Sequence, residues 1–295
     1  MKNLPGLINP LLALCQAAGE LICGYYHAPG VTEHRTKADD SPLTRADTES
    51  HSLLCAGLAE LAPAVPVLSE ESDPAELAGR RGWRRLWLVD PLDGTKEFLA
   101  RTGEFTINIA LIDGHRPVLG VLYLPLEQLA YVGIPGRSAH CYRAGGIDRD
   151  GKQQWSRSVL ATRDLEEGSA LRVLASRRHR NRRLEWCLAW LGEHWGPLTR
   201  LNSGSALKFC QLAEGGGDFY PRFSPCCEWD TAAGQAVLEA AGGALLGMDG
   251  EPLRYNCRDS LLSPHFYAIG DADHRLWRQL LQSPVDHQVR IAADW

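Results

Sequence analysis

Residues 86–98 read LWLVDPLDGTKEF. The apolar run Leu86, Trp87, Leu88, Val89 has the character of a buried strand and ends on a carboxylate, Asp90. Pro91 cannot donate to a sheet ladder, so the strand is expected to stop there. Asp93-Gly94 is a turn pair, and Thr95 followed by Lys96, Glu97 and Phe98 reads as a helix cap and first turn. Two carboxylates three residues apart, the Leu92 carbonyl between them and a hydroxyl two residues on make a compact all-oxygen cluster. Hard divalent cations take oxygen ligands, and Mg²⁺ is held by a few carboxylates together with water and substrate phosphate. Free N–H groups at a helix start favour an anion. The stretch therefore reads as a metal-assisted phosphate site. Taken alone, a D-x-x-D pair more often caps backbone groups, and the pair by itself leaves that choice open.

Upstream, apolar residues at 11, 14, 15, 18 and 22 follow the helical period and predict an amphipathic helix over 10–26. Asn9-Pro10 breaks the N-terminal apolar run, which excludes a signal-peptide reading, and no apolar run is expected to span a membrane. Thr44 with Asp47 three residues later is a capping-box start for a second helix bearing Leu54, Cys55, Leu58 and Leu61. Residues 66–71 (PVLSEE) form a short strand ending in two acids, and the charged segment 73–85 is expected to be a surface loop.

Downstream, Phe105, Ile107, Ile109 and Leu111 alternate with Thr106, Asn108 and Ala110, a half-buried strand pattern. Asp113-Gly114 marks a hairpin. Close-spaced strands at 118–124, 129–134 and 140–143 should pair antiparallel. The polar segment 145–168 is the expected domain boundary, dividing the chain into 1–160 and 161–295. Beyond it, strands at 171–175, 198–201, 218–220, 244–246 and 265–269 alternate with helices at 181–194, 205–213, 231–241 and 272–281. Such alternation favours a mixed or parallel sheet covered by helices.

A chain of 295 residues can bury a substantial core, and 44% hydrophobic with 23% charged residues is ordinary for a globular protein. A formal charge of -5 argues against a surface that coats nucleic acid. Nine cysteines, an odd number without C-x-x-C spacing, suit reduced thiols better than a disulfide framework. A second candidate stretch is 228–234 (EWDTAAG), where Asp230 opens a helix beside small residues. An N-cap aspartate is the ordinary explanation. Cys226-Cys227 nearby read as buried thiols, since soft sulfur suits Mg²⁺ poorly.

The string DPLDGTKEF resembles the signature of the inositol monophosphatase superfamily and, within it, of the CysQ-type 3'(2'),5'-bisphosphate nucleotidases. KADDSPLT (37–44), LSEE (68–71) and WDTAAG (229–234) resemble further elements of the same family. The resemblance covers 10–270. It implies a layered αβαβα fold: an N-terminal α+β domain with an antiparallel sheet, then an α/β domain. It further implies two or three Mg²⁺ per site, held by Glu70, Asp90, the Leu92 carbonyl, Asp93 and Asp230, with Asp47 helping an additional metal. Glu70 and Thr95 would orient the attacking water, Asp39 accepting the Thr95 proton, and Asp93 would share in catalysis. Substrate contacts carried over are Asp93, Gly94, Thr95, Arg177, His179, Ser203, Ser205, Lys208, Arg222 and Asp230. The Asn202–Ser205 turn before a helix suits an anion.

The implied activity is hydrolysis of the 3'-phosphate of adenosine 3',5'-bisphosphate (PAP) to AMP and phosphate, and of PAPS to APS, with sensitivity to lithium. The partner is then a phosphorylated adenosine nucleotide, with no nucleic acid, no integral membrane contact and at most a weak homo-oligomer. The expected location is cytoplasmic, with a peripheral place on the inner membrane as the family's variant. Two alternatives stand beside it: an inositol-1-monophosphatase or fructose-1,6-bisphosphatase on the same scaffold, and a non-catalytic phosphonucleotide sensor.

Overall fold

The computed structural model describes residues 3–28, 42–148, 150–151, 153–176 and 181–283, together with the backbone of 35–36. Helix α1 (Ile8–His27) leads to the short antiparallel pair β1 (Arg35–Thr36) and β2 (Pro42–Leu43), then to helix α2 (Arg45–Leu61). Next come β3 (Val67–Ser69), β4 (Arg85–Asp93), the one-turn helix α3 (Thr95–Leu99), β5 (Thr106–Asp113), β6 (Arg116–Leu124) and β7 (Leu129–Ile134). β8 (Ser138–Ile147) and β9 (Gln153–Leu160) complete a seven-stranded sheet in the order β3-β4-β5-β6-β7-β8-β9. All its pairings are antiparallel except β3 with β4. The second sheet contains β10 (Leu171–Ala175), β11 (Leu198–Asn202), β12 (Phe219–Arg222), β13 (Ala244–Gly247) and β14 (Phe266–Ile269). Its order is β11-β10-β12-β14-β13, with β10 parallel to both neighbours and the rest antiparallel.

Four helices accompany that second sheet: α4 (Arg182–His194), α5 (Leu207–Ala213), α6 (Glu228–Ala241) and α7 (Arg275–Leu281). Three apolar clusters define five layers. α1 and α2 pack on one face of the first sheet through Leu11, Leu12, Leu54, Val89 and Ile109. α5 and α6 lie between the two sheets, with Leu88, Ala110 and Leu122 on one side and Leu174, Tyr220 and Phe266 on the other. α4 and α7 close the outer face through Leu184, Leu191, Trp277 and Phe219. The αβαβα layering is as the sequence leads one to expect.

Four local expectations change. β5 is buried on both faces rather than one, because α6 covers the side that carries Asn108 and Ala110. Gly120 and Gly133 permit that close seat: a Cβ would meet the Ala233 carbonyl at 2.4 Å in the first case and Val237 Cα at 2.4 Å in the second. The polar segment 145–168 contains strand β9, whose exposed face explains its composition. Segment 73–85 is not simply superficial, since Arg80 is buried and gives hydrogen bonds to Asn256 Oδ1 (2.6 Å) and to the carbonyls of Arg258 and Asp259. Residues Pro5–His27 are long and apolar enough to cross a membrane by length and composition, contrary to the expectation. In this fold, however, Leu11, Leu12, Cys15, Ala18 and Ile22 of that stretch are core residues.

Candidate metal and phosphate site

β4 does not stop at Pro91. It continues to Asp93 through a register shift in which Asp90 faces Asn108 and Asp93 faces Thr106, so that Pro91 and Leu92 stand against the single residue Ile107. The extra residue is a β-bulge, and Pro91, which has no N–H to lose, sits inside it. In a regular strand positions 90 and 93 point to opposite faces. The bulge brings both carboxylates to one side. Gly94 follows at φ +93, and a Cβ there would lie 2.8 Å from the Glu104 carbonyl. Thr95 is the first residue of α3, and Gly94 is its N-cap, correcting the expected Thr95 cap.

Asp230 arrives from the other side. It is the third residue of α6, not its cap; Cys227 caps the helix in a reciprocal pair, its N–H donating to Asp230 Oδ2 at 2.8 Å. One oxygen of each of Asp90, Asp93 and Asp230 falls within 4.8 Å of the others. Glu70, at the end of β3, is tied beside Asp90 by its N–H to the Val89 carbonyl at 3.0 Å. The crowding shows in proton affinities. Burial first, then Glu70, Asp93 and Asp230, hold the Asp90 carboxyl well above the ordinary carboxylate range. Burial, Asp93 and Glu70 push Asp230 up to about 7. Among the described residues no lysine or arginine forms an ion pair with Asp90. A cluster of mutually repelling oxygen ligands has the donor chemistry of a hard divalent metal site.

Asp47 stands outside that trio. Its Oδ2 accepts from Thr44 N (2.7 Å) and Oγ1 (2.5 Å), a capping box, while its Oδ1 lies 3.1 Å from Thr95 Oγ1. Thr95 Oγ1 is also 3.2 Å from the Leu92 carbonyl. Asp39, the expected acceptor for Thr95, lies outside the described residues; among the described ones, Asp47 is the carboxylate next to the hydroxyl. The same face of α2 supplies two residues the sequence reading missed. Ser50 donates to the Pro91 carbonyl (3.0 Å), holding the bulge, and His51 Nδ1 is 2.9 Å from Ser69 Oγ, beside Glu70. Asp47, Ser50 and His51 are spaced i, i+3, i+4, so their shared face was a readable signal, but its partners are distant in sequence.

Asp93, Gly94, Ser205, Lys208, Arg222 and Asp230 line a single cleft between the sheets, joined by Lys96 and Tyr220. Ser203 does not line it: the side chain is buried and bonds the adjacent Gly204 carbonyl. Arg177 and His179 lie outside the described residues. The turn at 203–206, expected to receive an anion, already holds one, because Ser205 Oγ (2.7 Å) and Ala206 N (2.6 Å) both donate to Asp93 Oδ2. Lys208 is 1% exposed, with Nζ on the carbonyls of Ser203 (3.2 Å) and Ser205 (2.7 Å) and 5.0 Å from the Tyr220 ring centroid. Burial and the neighbouring Arg222 bring its pKa down to about 8. Arg222 donates to Tyr220 Oη (3.2 Å) and to the carbonyls of Ser224 and Pro225. Lys96 is exposed.

The sequence profile of the inositol monophosphatase family matches residues 5–282. A 3'(2'),5'-bisphosphate nucleotidase CysQ from Shigella flexneri is 42% identical over 262 residues, covering 88% of this chain and 98% of that one. The protein of the same name from Haemophilus influenzae is 31% identical over 276 residues, 94% and 97% of the two chains. Among solved structures, CysQ from Bacteroides thetaiotaomicron, a bacterial member of the inositol monophosphatase family, superposes with a TM-score of 0.74. It is 38% identical, covering 90% of this chain and 98% of its own. An IMPase from Thermotoga maritima is alike in fold, with a TM-score of 0.72 at 17% identity and coverage of 99% and 100%.

Proposed function

The chain belongs to the inositol monophosphatase family, and we propose that it is a divalent-metal-dependent 3'(2'),5'-bisphosphate nucleotidase that hydrolyses PAP to AMP and phosphate, and PAPS to APS. One observation carries the choice of substrate. The wall of the cleft sets three cationic side chains, Lys96, Lys208 and Arg222, beside the carboxylates Asp93 and Asp230. A monophosphate of a neutral sugar has little use for cations beyond the metal, whereas a nucleotide with a second phosphate does. We take 1–160 and 161–295 as the two domains, the site lying between them. Nine unpaired thiols suit a cytoplasmic, reducing location.

The residues present fit two or three Mg²⁺: Glu70, Asp90, Asp93, Asp230 and the Leu92 carbonyl would hold them. Bound there, such ions lower the pKa of water and neutralise charge on the attacking and leaving oxygens of an in-line displacement. The chain's own groups do the rest. Thr95 Oγ1 orients the attacking water and takes one proton from it while handing its own to Asp47 Oδ1, 3.1 Å away. Glu70, at the edge of the trio, accepts a hydrogen bond from that water's other hydrogen, and the leaving 3'-oxygen takes its proton from a water molecule. Arg222 and Lys96 face the phosphate that does not react, and Tyr220 offers an aromatic wall.

A phosphate-release screen over PAP, inositol-1-phosphate and fructose-1,6-bisphosphate tests the reading. Turnover should be fastest with PAP, vanish in excess chelator and return with Mg²⁺. A preference for either sugar phosphate moves the chain to another branch of the family; tight PAP binding without phosphate release makes it a sensor.

A further inference from the structure

We propose that Lys208 is a positioning residue for the metal-binding carboxylate Asp93, acting through the 203–206 turn that clasps the two sheets together; this rests on the reading of Asp93 as a metal ligand. The buried ammonium spends two of its three donors on the Ser203 and Ser205 carbonyls. Those carbonyls belong to a tight turn whose Ser205 sits at φ +48, a backbone region that few residues other than glycine adopt. The turn faces the first sheet and grips it at three points. Ser205 Oγ and Ala206 N fix Asp93 Oδ2, Gly204 N donates to Glu104 Oε2 (3.0 Å), and Ser205 Oγ is 2.8 Å from Thr106 Oγ1. Two donors on one oxygen settle the rotation of the Asp93 carboxylate.

Without the ammonium, the Ser203 and Ser205 carbonyls lose their donor in a buried setting, and the turn has reason to relax toward water. Ser205 Oγ and Ala206 N then leave Asp93, which can rotate away from the trio. Outer groups that orient metal ligands are typically worth a 10–100-fold change in metal affinity. A residue that only touches the substrate changes nothing when substrate is absent. That difference separates the two roles.

The test is a Mn²⁺ titration of the substrate-free protein, followed by electron paramagnetic resonance of the free ion, with near-UV circular dichroism to confirm folding. Lys208→Met should weaken Mn²⁺ binding about 10–100-fold, and Ser205→Ala by less, because Ala206 N remains on Asp93. The double variant should bind no more weakly than Lys208→Met, since both act along one chain of contacts. Binding within about twofold of wild type in Lys208→Met, or losses that multiply in the double variant, overturns the proposal. Should Lys208→Met not fold, Ser205→Ala decides alone: a loss of about fivefold supports the clasp and an unchanged titration refutes it. Asp93→Asn is the control on the premise. If it binds Mn²⁺ as wild type does, the metal reading of Asp93 fails and the clasp proposal fails with it.

Discussion

Thr95 and Asp47 meet across 48 residues of sequence, and the contact gives the hydroxyl a dedicated acceptor. Thr95→Ala and Asp47→Asn should each lower kcat by about 10²–10⁴ with little change in KM, as for proton transfer made in the transition state. Their double variant should be no worse than either; steady-state kinetics with PAP reads both, and independent losses would separate the pair. Asp230 makes a second prediction at this scale. In the unfolded chain its carboxyl ionises near pH 4, about the ordinary aspartate value, whereas in the metal-free fold its pKa is about 7. Its raised folded value therefore favours folding most below the unfolded pKa, and that advantage is lost as pH rises through the folded one. Metal-free Asp230→Asn should accordingly gain thermal stability over wild type from pH 5 to pH 8, and added Mg²⁺ should reverse the ranking. A pH-independent difference would show that neither burial nor the neighbouring carboxylates raise the Asp230 pKa.

At the scale of elements, the site depends on a bulged strand and on a helix pressed against a sheet. α6 carries Asp230 at its third position, and the depth of its seat is set by Gly120 and Gly133. Gly133→Ala places a methyl against backbone of α6 that cannot swing aside. It should cost about 1–3 kcal/mol by urea unfolding and depress kcat as Asp230 is displaced. Gly24, inside α1 with nothing within 4 Å of a Cβ, is the contrast. Gly24→Ala should stabilise by about 0.5–1 kcal/mol and leave turnover as it was. Equal effects at the two glycines would mean that packing at α6 does not place Asp230.

Across the whole molecule, strand ends of the first sheet contribute Glu70, Asp90 and Asp93, while Arg222 comes from β12 of the second sheet and Lys208 from α5 between the sheets. Arg222→Ala should lower kcat/KM for PAP by about 10–100-fold, the worth of one charged hydrogen bond, yet leave 4-nitrophenyl phosphate turnover nearly unchanged. Equal loss on both substrates would place Arg222 with the metal chemistry instead. Arg80 adds a tie of another kind: the segment after Glu70 is bound by its guanidinium to Asn256, whose own N–H reaches Glu228 Oε2 (2.6 Å) at the start of α6.

The element types and the Asp90/Asp93 oxygen cluster were legible because each depends on local pattern, periodicity and turn chemistry; the layer order and the roles of Glu70 and Asp230 came with the family resemblance, and the helix expected from 231 begins at Glu228. Contacts between distant segments were not legible. The spacing of Asp90 and Asp93 names two carboxylates, but only the bulged pairing with β5, two residues against one, sets them on one face. Pro91 suggested a stop because a proline cannot donate, and the bulge removes the need for that donation. Arg80 and Lys208 read as surface or substrate charges because long cations are usually solvated, and nothing local shows the carbonyls that receive them. The same holds for Ser50 and His51, whose partners lie on β4 and β3. One-dimensional pattern and the family resemblance named the groups that could bind metal and phosphate; the packing of α2, α6 and the 203–206 turn decided how those groups, distant in sequence, are brought together.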